Sequence, residues 1–397
     1  MRTVYPSGTT LYQPDRCASG YTIFFNRHLV TLLDMNGRIV HEWHLDTNRT
    51  AHGTDRAHLQ PDGHIVVTRG GMHSEDGLIQ EYDWEGEVVW EFIPEGTIPH
   101  TRLTGPHHDV WRKTNGNTLL ICRDPVPPEY LADVREPTWQ NQTICGDTIL
   151  EVNDAGEVVW EWNSHGHLDI NHYRLLASPG WFAGPYNSTL VDWTHINTVR
   201  EIPENRHFDA GDERFRPGNV IISPRQLDTV YIIDRESGEV VWRYGGDYFG
   251  GLSGQHEPYM IPRGYPGEGN ILVFDNGASP WNDLGHAGMS YVLEVNPATK
   301  ELVWVYNDGL NFHSTYTSSA QRLPNGNTLI CESAAQRVFE VTSDGETVWE
   351  HIRRTPRSYR YSYDYCPQLK FLERPDERPM VPPAHFQIDM LRRGGAS

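Results

Sequence analysis

The chain has little cysteine, no long apolar run and too few basic residues to balance its acids. Its five cysteines, Cys17, Cys122, Cys145, Cys331 and Cys366, form no CxxC or zinc spacing, and an odd number does not suggest a disulfide framework. Cys122 and Cys331 end apolar strands and read as buried structural thiols. No stretch reaches the roughly 18 apolar residues of a membrane helix, and no membrane partner is expected. The opening MRTVYPSGTTLYQPDRCASGYTIFF lacks the basic and apolar regions of a secretory signal, so a cytoplasmic protein is expected. Lys and Arg number 33 against 53 Asp and Glu, a formal charge of −20 whose field repels nucleic acid and anionic membranes alike. An anionic small substrate therefore needs a local basic pocket.

Glycine and proline are instead abundant and evenly spread, with 36 and 27 residues, alongside 13 Trp and 19 Tyr. That composition fits many short strands joined by tight turns, an all-β chain. One phrase recurs six times: GRIVHEW, GEVVWEF, GEVVWEW, GEVVWRY, KELVWVY and GETVWEH, with Trp43, Trp90, Trp160, Trp242, Trp304 and Trp349 read in register as core residues. Most copies open on a turn such as Asn36-Gly37, Glu85-Gly86 or Asp344-Gly345, the signature of a hairpin into a strand. A second phrase precedes most of them: LQPDGHIVV, KTNGNTLLI, RFRPGNVII, PGEGNILVF and LPNGNTLI. Each unit thus has four strands, and six units at this spacing predict a six-bladed β-propeller of four-stranded antiparallel blades.

The propeller is expected over residues 1–351, with 352–397 a C-terminal extension. The first unit has no inner-strand phrase of its own, so its missing strand is expected from residues near 9–13 or from the chain after Glu350. The Tyr-rich RSYRYSYDYCPQLKF is expected to pack on the propeller or on a second subunit, as in a homodimer. Longer gaps place insertions near 124–146, 163–193 and 203–216.

Eight residues before the turn glycines Gly63, Gly116 and Gly326 lie Asp55, His108 and Ser318. In the two units with longer turns, alignment on the residue before proline gives His195 and His256 the same place. Three of five units then carry histidine where inner strands begin, around the axial channel. Seven residues past Gly116 and Gly218 come Arg123 and Arg225, at the returning end of the second strand. Asn197 follows His195 by two and shares its face in an extended strand. His108, Arg123, His195, Asn197, Arg225 and His256 are the candidate site. His107 is expected to point away from His108 and to be structural, as are His52, His58, His64, His165, His167, His172 and His313, which have no place in the repeat register.

The segments HHDVWRKTNGNTLLICRD, DWTHINTV, NVIISPRQLDTVYIIDRESGEVVWRYGG, QHEPYMIP, NILVFDNG and SSAQRLPNGNTLICE resemble the PAPS-independent aryl-sulfate sulfotransferases, six-bladed propellers, over roughly residues 50–351. The resemblance implies a cofactor-free enzyme that moves a sulfuryl group from an aryl sulfate ester to a small phenolic acceptor through a sulfohistidine. His256 matches the nucleophile. His195, Asn197 and Arg225 match residues that hold the sulfuryl oxygens, and His108 one that assists proton transfer at the phenolic oxygen. Arg123 is a further candidate for substrate binding. LLASPGWFAGPYNSTLVDW is a candidate wall for the phenol ring. Pro258 donates no backbone hydrogen bond, so its strand must lie at a channel edge.

Two other classes remain open on the residues alone. Axial histidines also suit iron, copper or manganese in a lyase or oxygenase, although a guanidinium aimed at the centre repels a cation. A propeller can equally be a non-enzymatic binder of a ligand or protein.

Overall fold

A computed structural model of the protein describes residues 7–48, 53–70, 77–94, 105–139, 141–172, 190–246, 251–278 and 288–381. Each repeat folds as an antiparallel sheet, and the six sheets form a ring of blades around one axis. Blade three shows how the phrases build a blade. Pro106–Arg112 turns at Asn115-Gly116 into Thr118–Pro125, which pairs with Thr143–Val152, which pairs with the outer Val158–Asn163. Gly116 holds φ at +88°, a conformation that a side chain disfavours and that this tight hairpin requires.

Blade one completes itself with chain from the other end of the sequence. Its innermost strand is Tyr359–Tyr361, paired antiparallel with Tyr21–Asn26, while Gly8–Tyr12 joins the outer edge of blade six against Thr347–Ile352. The propeller therefore runs past residue 351, and the segment beyond that expected boundary supplies a strand. An early and a late segment of the chain are thus both tied into the ring. Tyr21, Tyr361 and Tyr363 pack in one core cluster with Leu369, which accounts for the aromatic content of this stretch.

The recurring tryptophans join neighbouring blades. Trp43 Nε1 donates to Asp83 O (2.9 Å), Trp90 to Asp154 O (3.0 Å), Trp162 to Gly238 O (2.9 Å), Trp242 to Pro297 O (2.8 Å), Trp304 to Ser343 O (2.7 Å) and Trp349 to Met35 O (2.8 Å). Each bond reaches the last turn of the following blade, and the sixth returns from blade six to blade one. The register expected from sequence is off in two blades. Trp43 stands two residues further along its phrase than Trp90, and in blade three Trp162 rather than Trp160 makes the bond. In a strand, residues two apart share a face, so either position can reach the neighbour. Trp43, Trp242 and Trp349 are buried, whereas Trp90, Trp160 and Trp304 are partly exposed beneath the guanidiniums of Arg112, Arg235 and Arg322.

All five cysteines are free thiols, and Cys122 and Cys331 are buried, as their apolar strands foretell. Among the described residues no helix is long and apolar enough to cross a membrane.

Candidate active site

Where the inner strands meet the axis is fixed by the hairpin at their far end. The backbone N–H groups of Gln60, Lys113, Ile202, Ile261 and Leu323 each donate to the residue that opens the next strand, His64, Asn117, Asn219, Asn270 and Asn327. Five residues before these donors lie Asp55, His108, Asn197, His256 and Ser318. Asn197, not His195, is therefore the counterpart of His108 and His256. His195 stands two residues earlier: it lies seven residues before Ile202, the residue preceding Pro203, where His256 lies five before Ile261, so the two prolines do not align them.

His256 is buried at the start of the blade-five inner strand. Its Nδ1 lies 2.7 Å from Asn276 Oδ1 and 3.0 Å from Gly254 O. The Asn276 amide cannot be reversed, since its Nδ2 donates to Ser314 O at 2.7 Å and Thr317 O at 3.2 Å. Both partners of Nδ1 are thus acceptors, so Nδ1 carries the hydrogen and Nε2 the lone pair. No hydrogen bond to that Nε2 is found among the described residues. Burial, then the Arg357 and Arg225 charges, hold the imidazole neutral well below its usual range.

His108 is oriented by a relay. Asp147 Oδ1 lies 3.0 Å from His107 Nε2, and His107 Nδ1 lies 2.8 Å from His108 Nδ1. With His107 donating to Asp147 through Nε2 and accepting at Nδ1, His108 donates there and keeps its lone pair on Nε2. The expectation that His107 points away fails here, because His108 has φ +58° and breaks the alternation of an extended strand. Burial holds His108 well below the usual imidazole range, with His195 and His107 adding to it.

His195 packs edge-on to His108 with ring centroids 4.8 Å apart. Its Nδ1 lies 2.5 Å from Asp192 Oδ2, and Arg123 Nη2 lies 2.9 Å from Asp192 Oδ1. Burial lowers His195 more than Asp192 raises it. Arg123 is thereby committed to Asp192. Arg225 opens a short 3-10 turn, and its backbone N–H donates to His195 O at 3.0 Å. Its guanidinium is buried, 3.5 Å from Thr315 O through Nη2, and its charge disfavours protonation of both His195 and His256. Asn197 is engaged elsewhere: Nδ2 donates to Gln255 O at 2.8 Å, bracing the residue before His256. The structure therefore brings His108, His195, His256 and Arg225 together on the axis. Arg123 and Asn197 stand behind them.

Sequence reading missed Asn276, Asp192, Asp147 and His107. The count of seven past the turn glycine, applied to Gly269, lands on Asn276, the counterpart of Arg123 and Arg225. It also missed the residues one step along three inner strands, Arg56, Asp109 and Glu257, together with Arg200 and Arg357. Arg56 binds Glu257 through two bonds of 2.6 Å, Arg200 binds Glu257 at 2.5 Å and Asp109 at 3.1 Å, and Arg357 lies 3.2 Å from Glu257. These three guanidiniums and two carboxylates form a buried plug in the channel. Arg357 Nη2 also donates to Asn197 O at 2.7 Å, so blade one's late segment clamps blade four at the axis.

The candidate wall for a phenol ring, residues 175–193, falls almost wholly outside the described residues, as does His52. Ligand nitrogens of His108, His195 and His256 do not converge within 4.8 Å of one another, and the one such group among the described residues is Asp62, His64 and Glu81 on the surface.

A six-bladed propeller with imidazoles and a guanidinium gathered on its axis is the class that fold and site define. The family profile described as arylsulfotransferase (ASST) matches residues 58–354, and the chain belongs to that family. No curated protein matches significantly. Among solved structures, a protein of unknown function from Bacteroides caccae shares 14% identity, covering 84% of this chain and 93% of its own, with a TM-score of 0.47. An inactive virginiamycin B lyase variant from Staphylococcus aureus with quinupristin shares 10%, covering 86% and 87%, with a TM-score of 0.45. Hydrazine synthase of Kuenenia stuttgartiensis shares 13%, covering 87% and 79%, with a TM-score of 0.42.

Proposed function

We propose that the protein transfers a sulfuryl group from an aryl sulfate ester to a phenol through a sulfohistidine at His256. The observation that carries this reading is the locked tautomer of His256: two acceptors hold Nδ1–H and leave a neutral, unencumbered Nε2, an oriented nitrogen nucleophile. In the first half-reaction Nε2 attacks sulfur, the bond from sulfur to the aryl oxygen breaks, and the aryl oxide leaves with its electron pair. The ring becomes positive as the N–S bond forms. Gly254 O and Asn276 Oδ1 already accept from Nδ1 and stabilise that charge.

The sulfuryl oxygens need preorganised donors in a dry site. Arg225 supplies a buried guanidinium. The arriving anion also favours a proton on His195, which Asp192 supports from the far side, and a protonated Nε2 then donates to the same oxygens. In the second half-reaction His108 Nε2 takes the proton of the phenolic acceptor as its oxygen attacks sulfur. The N–S bond breaks, His256 is restored, and the proton on His108 passes to the departed aryl oxide or to water. Arg123 acts through Asp192, and Asn197 through the backbone at Gln255.

Initial rates at several fixed acceptor concentrations test the scheme. A covalent intermediate gives parallel double-reciprocal lines. Intersecting lines would mean direct transfer between the two bound substrates.

A further inference from the structure

The channel has a second mouth, at the hairpin end of the inner strands. A cavity of about 380 Å³ opens there, walled by Trp111, Tyr259, Tyr265, Leu323 and Tyr365, with Glu257 and Arg200 of the buried plug at its floor. That volume lies within the range of about 300–1,000 Å³ of small-molecule sites. The plug itself is saturated, because Glu257 accepts from Arg56, Arg200 and the Tyr359 hydroxyl. The neighbouring phenols are also engaged. Tyr361 Oη accepts from Leu59 N, and Tyr365 Oη donates to Leu59 O.

His58 is the exception. It lines the cavity, is only 8% exposed, and is held by stacking on Tyr359 and edge contact with Trp111. Arg56 Nε donates to its Nε2 at 2.7 Å, so that nitrogen bears the lone pair. Burial and the Arg56 charge keep the ring neutral. The hydrogen is therefore on Nδ1, for which no hydrogen bond is found among the described residues. Because His58 lines the cavity, that donor is available to an acceptor that enters it.

We infer that this cavity is a binding site, separate from the axial histidines, for a neutral flat aromatic molecule whose edge carries a hydrogen-bond acceptor such as a carbonyl, received by His58 Nδ1–H. The aromatic walls take the ring. The plug behind the floor, with one more guanidinium than carboxylate, favours the oxygen end pointing inward. The inference does not depend on sulfuryl transfer at the other mouth.

4-Bromoacetophenone is the probe, located in soaked crystals by the anomalous signal of bromine and titrated in solution by calorimetry. Bromine is expected among Tyr259, Tyr265 and Tyr365, with the ketone oxygen in hydrogen-bond reach of His58 Nδ1. Ser362→Trp, at an exposed position on the rim, should abolish binding, His58→Phe should weaken it about tenfold, and His256→Ala should leave it unchanged. His58→Phe also strips Arg56 of an acceptor, so Ser362→Trp decides the matter if that variant misfolds. Bromine found only among the axial histidines or nowhere, or titration unaffected by Ser362→Trp, would overturn the inference.

Discussion

Asn276 Oδ1 accepts from His256 Nδ1 at 2.7 Å, while its own amide nitrogen is fixed by two backbone carbonyls. Asn276 is thus a positioning residue for the nucleophile. Asn276→Ala should lower kcat about tenfold to a hundredfold with little change in KM. Asn276→Asp keeps an acceptor but places a negative charge on the imidazole, which favours its protonated form. The acid limb of the pH–rate profile should then move to higher pH, a shift that a merely structural role would not produce.

Arg225 is a buried guanidinium whose charge bears on both His195 and His256. Arg225→Met should reduce kcat/KM for an aryl sulfate by about 10²–10³. Circular dichroism should show the fold intact. Arg123→Met should act more weakly and mainly through His195, since its guanidinium faces Asp192.

Trp162 and Trp160 separate the blade-joining role from simple burial. Trp162→Phe removes the bond to Gly238 O and should cost about 1 kcal/mol beyond any packing loss. Trp160→Phe removes no such bond and should stay within about 0.5 kcal/mol of the parent. Thermal or urea unfolding of the two variants side by side checks this.

Acid should destabilise the fold. His58, His108 and His256 are each held well below the imidazole value of 6.5 by burial. In the native state they stay neutral while the unfolded chain binds protons below about 6.5, so stability falls as pH drops through that value. Each contributes up to about 1.4 kcal/mol per pH unit in that window. Tm should fall steadily from about pH 7 toward pH 5. A flat Tm would contradict the neutral assignment.

Ending the chain before Arg357 removes the innermost strand of blade one and the Arg357 clamp on Glu257 and Asn197. Such a truncation should lose cooperative unfolding altogether. A folded, cooperative product would show that the ring closes without its late strand.

Much of this architecture is legible in the sequence because the repeats repeat their turns. Asn-Gly and Pro-Gly pairs need specific backbone angles, so six copies of strand and turn announce six blades. The last strand of blade one was not decidable, since RSYRYSYDY has the pattern of a strand but nothing local says which sheet it completes. At the site, His108, Arg123 and Arg225 follow from counting off the turn glycines, Asn276 follows from the same count, and His256 follows from its place before Pro262. His195 does not hold the equivalent place, since it stands seven residues before Ile202 where His256 stands five before Ile261, and Asn197 takes that position instead. Asp192 precedes the blade-four inner strand and Asp147 sits in the third strand of blade three, where no recurring phrase marks either. They meet His195 and His107 only once the blades are assembled.

The central claim is the covalent one, and intact-protein mass after mixing with 4-nitrophenyl sulfate tests it most directly. The account predicts a gain of one sulfuryl group, mapped to His256, absent in His256→Ala and discharged by adding a phenol. No adduct alongside steady release of nitrophenolate, or an adduct that persists in His256→Ala, would contradict it.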